Sequence, residues 1–167
     1  VTKAGGTVVV APTDVGPMGR MAIALDPQGQ PFGLWQSGLN TGVRHYAEPG
    51  GLIWNELASP DPEAARRFYA AVFGFRYDAV EGVEGYTTFT TAGPPLGGIG
   101  GGYEGGTPGW ATCFSVADTD AAVHLVRERG GDLRVPPTDT PYGRFAVLAD
   151  PWGAPFSVLA ATSPGSV

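Results

Sequence analysis

The chain contains two copies of one segment of about 30 residues, and this repeat constrains the fold more than any other feature. The first copy starts at Gly6 and the second at Gly131, and only Gly16 of the first copy has no counterpart. Both copies contain the motif Asp-Pro-x-Gly-x-Pro-Phe. The identical positions, numbered in the first copy, are Gly6, Val10, Pro12, Thr13, Asp14, Pro17, Gly19, Arg20, Ala22, Asp26, Pro27, Gly29, Pro31 and Phe32. Chance would give only about two identities, so the repeat predicts that both segments adopt one structure.

The first copy begins almost at the first residue, so residues 1–36 match only the end of a repeating unit. We therefore expect residues 1–36 to be the C-terminal strands of a preceding, incomplete domain. Strands with unpaired edges are prone to aggregate, so we expect a missing N-terminal segment or a second chain to complete them. Residues 37–51 are a connector containing Gly, Asn and Pro, and residues 163–167 are a tail.

Charge and cysteine usage exclude several classes of function. The net charge of -6 disfavours nucleic acid and anionic membranes as partners, because both repel an acidic surface. No apolar run is long enough to span a bilayer. Cys113 is the only cysteine, so no intrachain disulfide can form, and we expect a cytoplasmic location.

Residues 52–105 and 110–162 show the same order of predicted elements, a strand, then a helix, then further strands. In the first half, a strand over 52–58 precedes a helix that starts after the N-cap Asp61 and ends at Gly74. A shift of 57 residues places Asp61 over Asp118, the N-cap expected for the second helix. The pattern predicts an α+β fold built from two βαβββ modules.

The glycine-rich segment 96–106 has the composition of a phosphate-binding loop but lacks its Lys and Ser/Thr. It also does not open a helix. We interpret it as strand packing that glycine permits, followed by a mobile lip that carries Tyr103. Residues 85–92 and 96–103 are the strands expected on either side of the Gly-Pro-Pro turn.

The two modules and the Asp-Pro-x-Gly hairpins resemble the vicinal oxygen chelate superfamily, which includes glyoxalases, bleomycin-resistance proteins and extradiol dioxygenases. Segments 54–75 and 114–123 and both Asp-Pro-x-Gly-x-Pro-Phe motifs carry the resemblance. It implies paired βαβββ modules forming a cupped mixed sheet over 52–162, plus a partial preceding module. It also implies that a ligand lies in the cup. Within the superfamily, the chain is most similar to actinobacterial two-domain proteins labelled glyoxalase-like or hydroxylase.

The resemblance also implies where a metal ion would bind. Metal-binding members carry His, Gln or Glu seven residues before each helix-capping Asp and a carboxylate seven residues after each hairpin Asp. The residues at these places are Trp54, Ala111, Gly33 and Ser157. None is a useful ligand for a divalent ion, and the two histidines, His45 and His124, lie in the connector and on a helix. We therefore expect no metal site.

Five residues are the candidate ligand-binding positions, by strand alternation and by the resemblance: Trp54, Glu56, Tyr103, Cys113 and Ser157. Trp54 either forms an aromatic wall for a planar ligand or simply packs in the core. Glu56 is the candidate catalytic residue, an acid or base; the alternative is a structural hydrogen bond to a backbone amide or to Arg144. Cys113 is more often a small buried apolar residue than a nucleophile.

We interpret the sequence as a metal-independent protein that binds a small organic molecule in the cupped sheet. No cofactor is predicted for such binding. The alternative is a metal-independent lyase, isomerase or hydroxylase-like enzyme of secondary metabolism that uses Glu56, with an organic cofactor or an activated substrate. A purely structural interaction module is the third class.

Overall fold

The computed structural model describes residues 1–102 and 107–162, so Tyr103 and the predicted tail lie outside the described residues. The helices are α1 (Pro62–Phe73) and α2 (Thr119–Glu128), with short 3-10 helices at Thr2–Ala4 and Gly16–Met18. The strands are β1 (Thr7–Val15), β2 (Gly19–Leu25), β3 (Pro31–Ser37), β4 (Leu52–Ala58), β5 (Arg76–Ala79), β6 (Thr87–Thr90), β7 (Gly97–Gly100), β8 (Gly109–Ser115), β9 (Asp132–Thr140), β10 (Gly143–Ala149) and β11 (Pro155–Ala161). The α+β fold class predicted from the sequence is confirmed.

The described residues divide into two compact units. The first contains Val1–Arg44, Leu57–Gly101 and Pro108–Trp110. The second contains His45–Glu56 and, among the described residues, 102, 107 and 111–162. Strands β4 and β8 therefore contribute residues to both units. The boundaries predicted from the sequence for an incomplete first domain and a complete second one stay a prediction.

The two repeat copies form matching sets of three antiparallel strands, of which the first is a sheet of its own and the second is part of a larger sheet. The order β1-β2-β3 in the first unit corresponds to β9-β10-β11 in the second, with strands of equal length. Each copy places an arginine opposite an aspartate across its first strand pair, Arg20 with Asp14 and Arg144 with Asp139. These ion pairs give the aspartate and the arginine that recur in both copies a structural role.

Local chemistry fixes the ends of α1. The side chain of Asp61 accepts a hydrogen bond from the backbone N–H of Ala64 at 3.0 Å, and Pro62 occupies the first helical position. Gly74 ends the helix in the left-handed conformation, at φ 72°. Asp118 caps α2 in the same way through the N–H of Ala121. Both predicted caps are confirmed.

Helix α1 provides the core of the first unit. Its buried side chains Ala65, Phe68 and Tyr69 pack with Leu57, Phe89 and Ile99 from the strands. Phe32, from the first repeat copy, packs against the same cluster. The N-terminal strands therefore share one core with the module that follows them.

The glycines of β7 make room for the ring of Tyr86. A Cβ added to Gly98 would coincide with the hydroxyl end of that ring, and one on Gly100 would lie 2.7 Å from Tyr86 Cδ2. Only glycine allows a tyrosine so close to the strand. The glycine-permitted packing predicted for this segment is what the structure shows at Gly98 and Gly100.

The second unit has the strand order β4-β8-β11-β10-β9. Its sheet is mixed, because β8 and β11 run parallel while β9, β10 and β11 alternate in direction. Helix α2 covers one face, where Val123 packs with Ala146, Leu148 and Val158. The opposite face carries Cys113, Ser157 and Leu159, which strand alternation places away from that helix.

The structure differs from the sequence-based expectation around β5. No strand was predicted at Arg76–Ala79, yet these residues pair antiparallel with β6. Tyr77 is the one side chain of β5 that is not exposed, so the strand has almost no apolar pattern to identify it. Among the described residues, no helix is long and apolar enough to cross a membrane.

Candidate functional site

Two neighbouring strands of the second unit bring Cys113 and Ser157 together. Parallel pairing of β8 with β11 sets these residues opposite each other, and the serine side chain is hydrogen-bonded to the thiol. Both side chains are buried, at 3% and 4% exposure. The positions that the sequence assigned to one ligand-facing surface are thus in contact.

Glu56 acts on the same thiol. Burial raises the pKa of Cys113 to about 11; the bond to Ser157 lowers this value, and the negative charge of Glu56 raises it. Both the desolvation and the carboxylate disfavour a thiolate. At neutral pH the thiol is therefore protonated and suits packing or weak hydrogen bonding rather than nucleophilic attack.

Trp54 lies beside this group. It packs against the buried cluster formed by Ile53, Cys113 and Leu159, and it is itself half-buried. Glu56, two residues further along β4, points to the same face of the strand and is also half-buried. We call Trp54, Glu56, Cys113 and Ser157 the sheet-face cluster.

The apolar surroundings of the sheet-face cluster include one residue that sequence reasoning did not name. Phe145 of β10 packs against the Ile53, Cys113 and Leu159 cluster and stands opposite Leu159 in the strand register. Alternation along β10 could have identified it, because Phe145 occupies the face opposite to the buried Ala146. Tyr103, the remaining predicted ligand-binding residue, lies outside the described residues.

The sequence offers Arg144 as a hydrogen-bond partner of Glu56, but the guanidinium of Arg144 bonds to two aspartates instead. Its Nε and Nη2 donate to Asp120 at 2.6 and 3.1 Å, and its Nη1 donates to Asp139 at 2.9 Å. These bonds hold the pKa of the Asp120 carboxyl below its usual range. Arg144 thus ties α2 to β9 and β10.

The residues at the metal-ligand positions implied by the resemblance do not fit a divalent ion. An indole, a methyl group, a glycine and a serine hydroxyl stand at Trp54, Ala111, Gly33 and Ser157. His45 and His124 are exposed and each pairs with a nearby glutamate, Glu48 and Glu128. In residues 1–102 and 107–162, no three His, Cys, Asp or Glu side chains group in a way that could hold a metal.

The first unit carries an open surface groove of about 580 Å³ between α1 and the loop before β6. Arg66 lines it, but its guanidinium already bonds to Glu63 at 2.7 Å and to the Gly85 carbonyl and Thr87 hydroxyl at 3.3 Å. A cation engaged in this way has little capacity left for a ligand. The sheet-face cluster is therefore the better candidate.

Known proteins resemble the chain along most of its length. The model of the family described as "Glyoxalase/Bleomycin resistance protein/Dioxygenase superfamily" matches residues 43–158. "Putative glyoxylase CFP32" of Mycobacterium tuberculosis (strain CDC 1551 / Oshkosh) is 39% identical over 166 residues, 95% of this chain and 62% of that protein. "Anthracycline biosynthesis protein DauV" of Streptomyces sp. (strain C5) is 41% identical over 166 residues, 95% of this chain and 59% of that protein.

A solved structure supports the fold. The 2,3-dioxygenase LapB from Pseudomonas sp. KL28 superposes with a TM-score of 0.61 at 14% identity, covering 96% of this chain and 64% of that one. At this identity the match concerns the fold alone. The chain spans about 60% of the length of the two curated relatives above.

Proposed function

This chain belongs to the Glyoxalase/Bleomycin resistance protein/Dioxygenase superfamily, and we propose that it binds a small organic molecule at the sheet-face cluster without a catalytic metal ion. The observation that carries the proposal is the meeting of Glu56, Cys113 and Ser157 on one apolar face of the second unit. A few polar groups on a largely apolar concave surface are typical of small-molecule sites.

The side chains define what such a ligand would need. The half-buried indole of Trp54 offers a flat surface for stacking, and Glu56 offers a carboxylate that accepts hydrogen bonds. Ser157 and the protonated Cys113 add polar atoms of no net charge at neutral pH. We therefore propose a planar ligand that carries at least one hydroxyl or amino group able to donate to Glu56.

Metal independence rests on the chemistry of the residues. The family's ligand positions carry side chains that bind divalent ions poorly or not at all, so the chain cannot polarise paired substrate oxygens through them. The relatives' names point in two directions, a glyoxylase and an anthracycline biosynthesis protein. Both names are compatible with ligand binding at the sheet-face cluster and with metal-free catalysis by Glu56 at the same place.

Three further parts of the proposal concern the whole protein. We propose a cytoplasmic location, which the single buried, unpaired Cys113 suits. We also propose that a further segment or a second chain completes the N-terminal strands. The chain spans only 62% and 59% of the length of its two relatives. Any activity of a longer protein that contains this chain is therefore also a proposal.

Ligand titrations compare the parent chain with Glu56→Gln and Trp54→Ala. The probes are phenols, aromatic amines and aromatic acids, and calorimetry measures their binding. We expect saturable binding of at least one donor-bearing aromatic, weakened about tenfold or more by either substitution. Glu128→Gln, an exposed glutamate on α2, is the matched control and should bind as the parent does.

Two outcomes would decide against the binding proposal. Absence of saturable binding by every probe class would overturn it, as would equal weakening by Glu128→Gln. Turnover of a bound probe that disappears in Glu56→Gln, while its affinity stays unchanged, would establish the enzymatic alternative instead.

A further inference from the structure

The first repeat copy attaches to α1 through its hairpin, residues 26–30. The carboxamide oxygen of Gln28 accepts hydrogen bonds from the Ser59 hydroxyl at 3.0 Å and from the Asp61 backbone N–H at 2.9 Å. Its Nε2 donates to the Asp61 carbonyl at 3.1 Å. The tip of this first hairpin is therefore bound at the N-terminal end of a helix.

Apolar contacts extend the attachment along the helix. The ring of Phe68 lies 5.9 Å from that of Phe32 in an edge-to-face arrangement. The same ring lies 2.9 Å from where a Cβ on Gly6 would be. A hairpin tip at the helix start, with a large apolar side chain of the helix under the strands, is thus the docking mode of this repeat.

The second unit carries both parts of this docking mode, and both are exposed. Trp152 takes the place of Gln28 in the second hairpin, residues 150–154, and is 89% exposed. Leu125 corresponds to Phe68 at the shift of 57 residues and is 50% exposed, whereas Phe68 is 3% exposed. A large aromatic at a turn and a leucine on a helix face are common anchors of protein interfaces.

The hairpin residue and the residue at the helix start differ between the two units in a matched way. The polar pair Gln28 and Ser59 of the first unit corresponds to the apolar pair Trp152 and Val116 of the second. Both members change from polar to apolar together, which keeps the two surfaces matched. Trp152 is therefore suited to pack beside Val116 at the start of an α2 helix, and we call this place the socket.

The second hairpin cannot reach the start of its own helix. Pro151 lies at the C-terminal end of α2, with its Cγ 3.9 Å from where a Cβ on Gly130 would be. The opposite end of α2 is fixed at Thr119, whose hydroxyl donates to the Arg144 carbonyl and accepts from the Ala160 N–H. A helix of ten residues is about 15 Å long, so hairpin and socket are separated within one chain.

We propose that two copies of this chain dimerise through their second units, each second hairpin docking at the start of α2 in the other copy. Both surfaces lie on the same unit, so each copy gives a hairpin and receives one, as a closed two-fold interface requires. The two α2 helices run antiparallel, with Leu125 of each chain beneath the strands that carry the other chain's hairpin. The interface is independent of the sheet-face cluster and of its proposed function.

Sedimentation of the full chain over a concentration series tests the proposal. We expect a reversible dimer in the parent, and dissociation constants raised about tenfold or more by Trp152→Ala and by Leu125→Glu. Leu39→Glu, at a 69% exposed leucine of the first unit, is the control and should dimerise as the parent does. All three substitutions are at exposed side chains, and thermal melts establish that each variant is folded.

A crosslink tests the pairing itself. Ala117→Cys and Ala154→Cys place thiols at the start of α2 and in the second hairpin, both at exposed positions. Mild oxidation of the mixed chains should give mostly the mixed disulfide dimer, and far less product from either chain alone. A parent that stays monomeric at millimolar concentration overturns the proposal. A dimer that survives both anchor substitutions, or equal crosslinking within each single variant, also overturns it.

Discussion

Replacing Tyr69 with phenylalanine removes the centre of a buried hydrogen-bond chain in the first unit. The Tyr69 hydroxyl donates to Asp26 Oδ2 at 3.2 Å and accepts from Trp110 Nε1 at 2.8 Å. Tyr69 and Asp26 are 1% and 3% exposed, so water cannot replace the lost partner. Burial also raises the pKa of the Tyr69 hydroxyl well above its usual range, which keeps it protonated as a donor.

The expected loss follows from the two bonds. The bond to the Asp26 carboxylate is worth about 1.5 to 3 kcal/mol, and the neutral bond from Trp110 about 1 kcal/mol. The indole N–H of the half-buried Trp110, left without this acceptor, adds to the cost. We therefore expect Tyr69→Phe to lower the free energy of unfolding by about 2 to 4 kcal/mol, a large part of a typical domain's stability.

Urea unfolding followed by circular dichroism measures this difference. Tyr77→Phe, which loses one bond to the Arg66 carbonyl at 2.9 Å, should cost about 1 kcal/mol. Tyr142→Phe, at an exposed tyrosine, should cost almost nothing. A Tyr69→Phe variant as stable as Tyr142→Phe would refute the expectation that the bonds from Tyr69 to Asp26 and from Trp110 to Tyr69 stabilise the fold.

Three other substitutions test separate contacts. Gly98→Ala puts a methyl group into the Tyr86 ring and should destabilise by about 1 to 3 kcal/mol, while Gly101→Ala, with nothing within 4 Å, should be near neutral in the same melts. Asp118→Ala removes the α2 cap and should cost about 1 kcal/mol in urea unfolding; an unchanged midpoint would contradict the capping role. The pKa of the Cys113 thiol is about 11 in the folded protein, above the usual 9. The protonated thiol therefore stabilises the folded state fully below pH 9, and this stabilisation is lost as pH rises toward 11. The parent should lose about 2 kcal/mol more than Cys113→Ala between pH 9 and pH 11, and equal losses would contradict burial of the thiol.

Local chemistry explains which parts of the fold the sequence predicts well. The N-caps Asp61 and Asp118 and the Asp-Pro-x-Gly turns act within a few residues, so short motifs identify them. In each hairpin the aspartate accepts backbone N–H bonds two and four residues later, as Asp26 and Asp150 do. The family resemblance drawn from these motifs is confirmed by the match over residues 43–158.

Long-range contacts explain what the sequence does not predict. Asp26 and Tyr69 are 43 residues apart, and Trp110 is 41 residues further on, so no local pattern links them. Strand β5 forms because β6 offers a partner, although its own residues lack alternation. Phe145 joins the apolar side of the candidate site only through the pairing of β10 with β11.

Binding before and after removal of metal ions tests the central claim most directly. The chain is dialysed against a strong chelator, its metal content is measured by elemental analysis, and calorimetry is repeated with the tightest aromatic probe. We expect no stoichiometric Mn, Fe, Ni or Zn in the purified protein and the same affinity before and after dialysis, because Trp54, Ala111, Gly33 and Ser157 bind such ions poorly or not at all. Stoichiometric metal, or binding that is lost on dialysis and restored by one of these ions, would contradict the account.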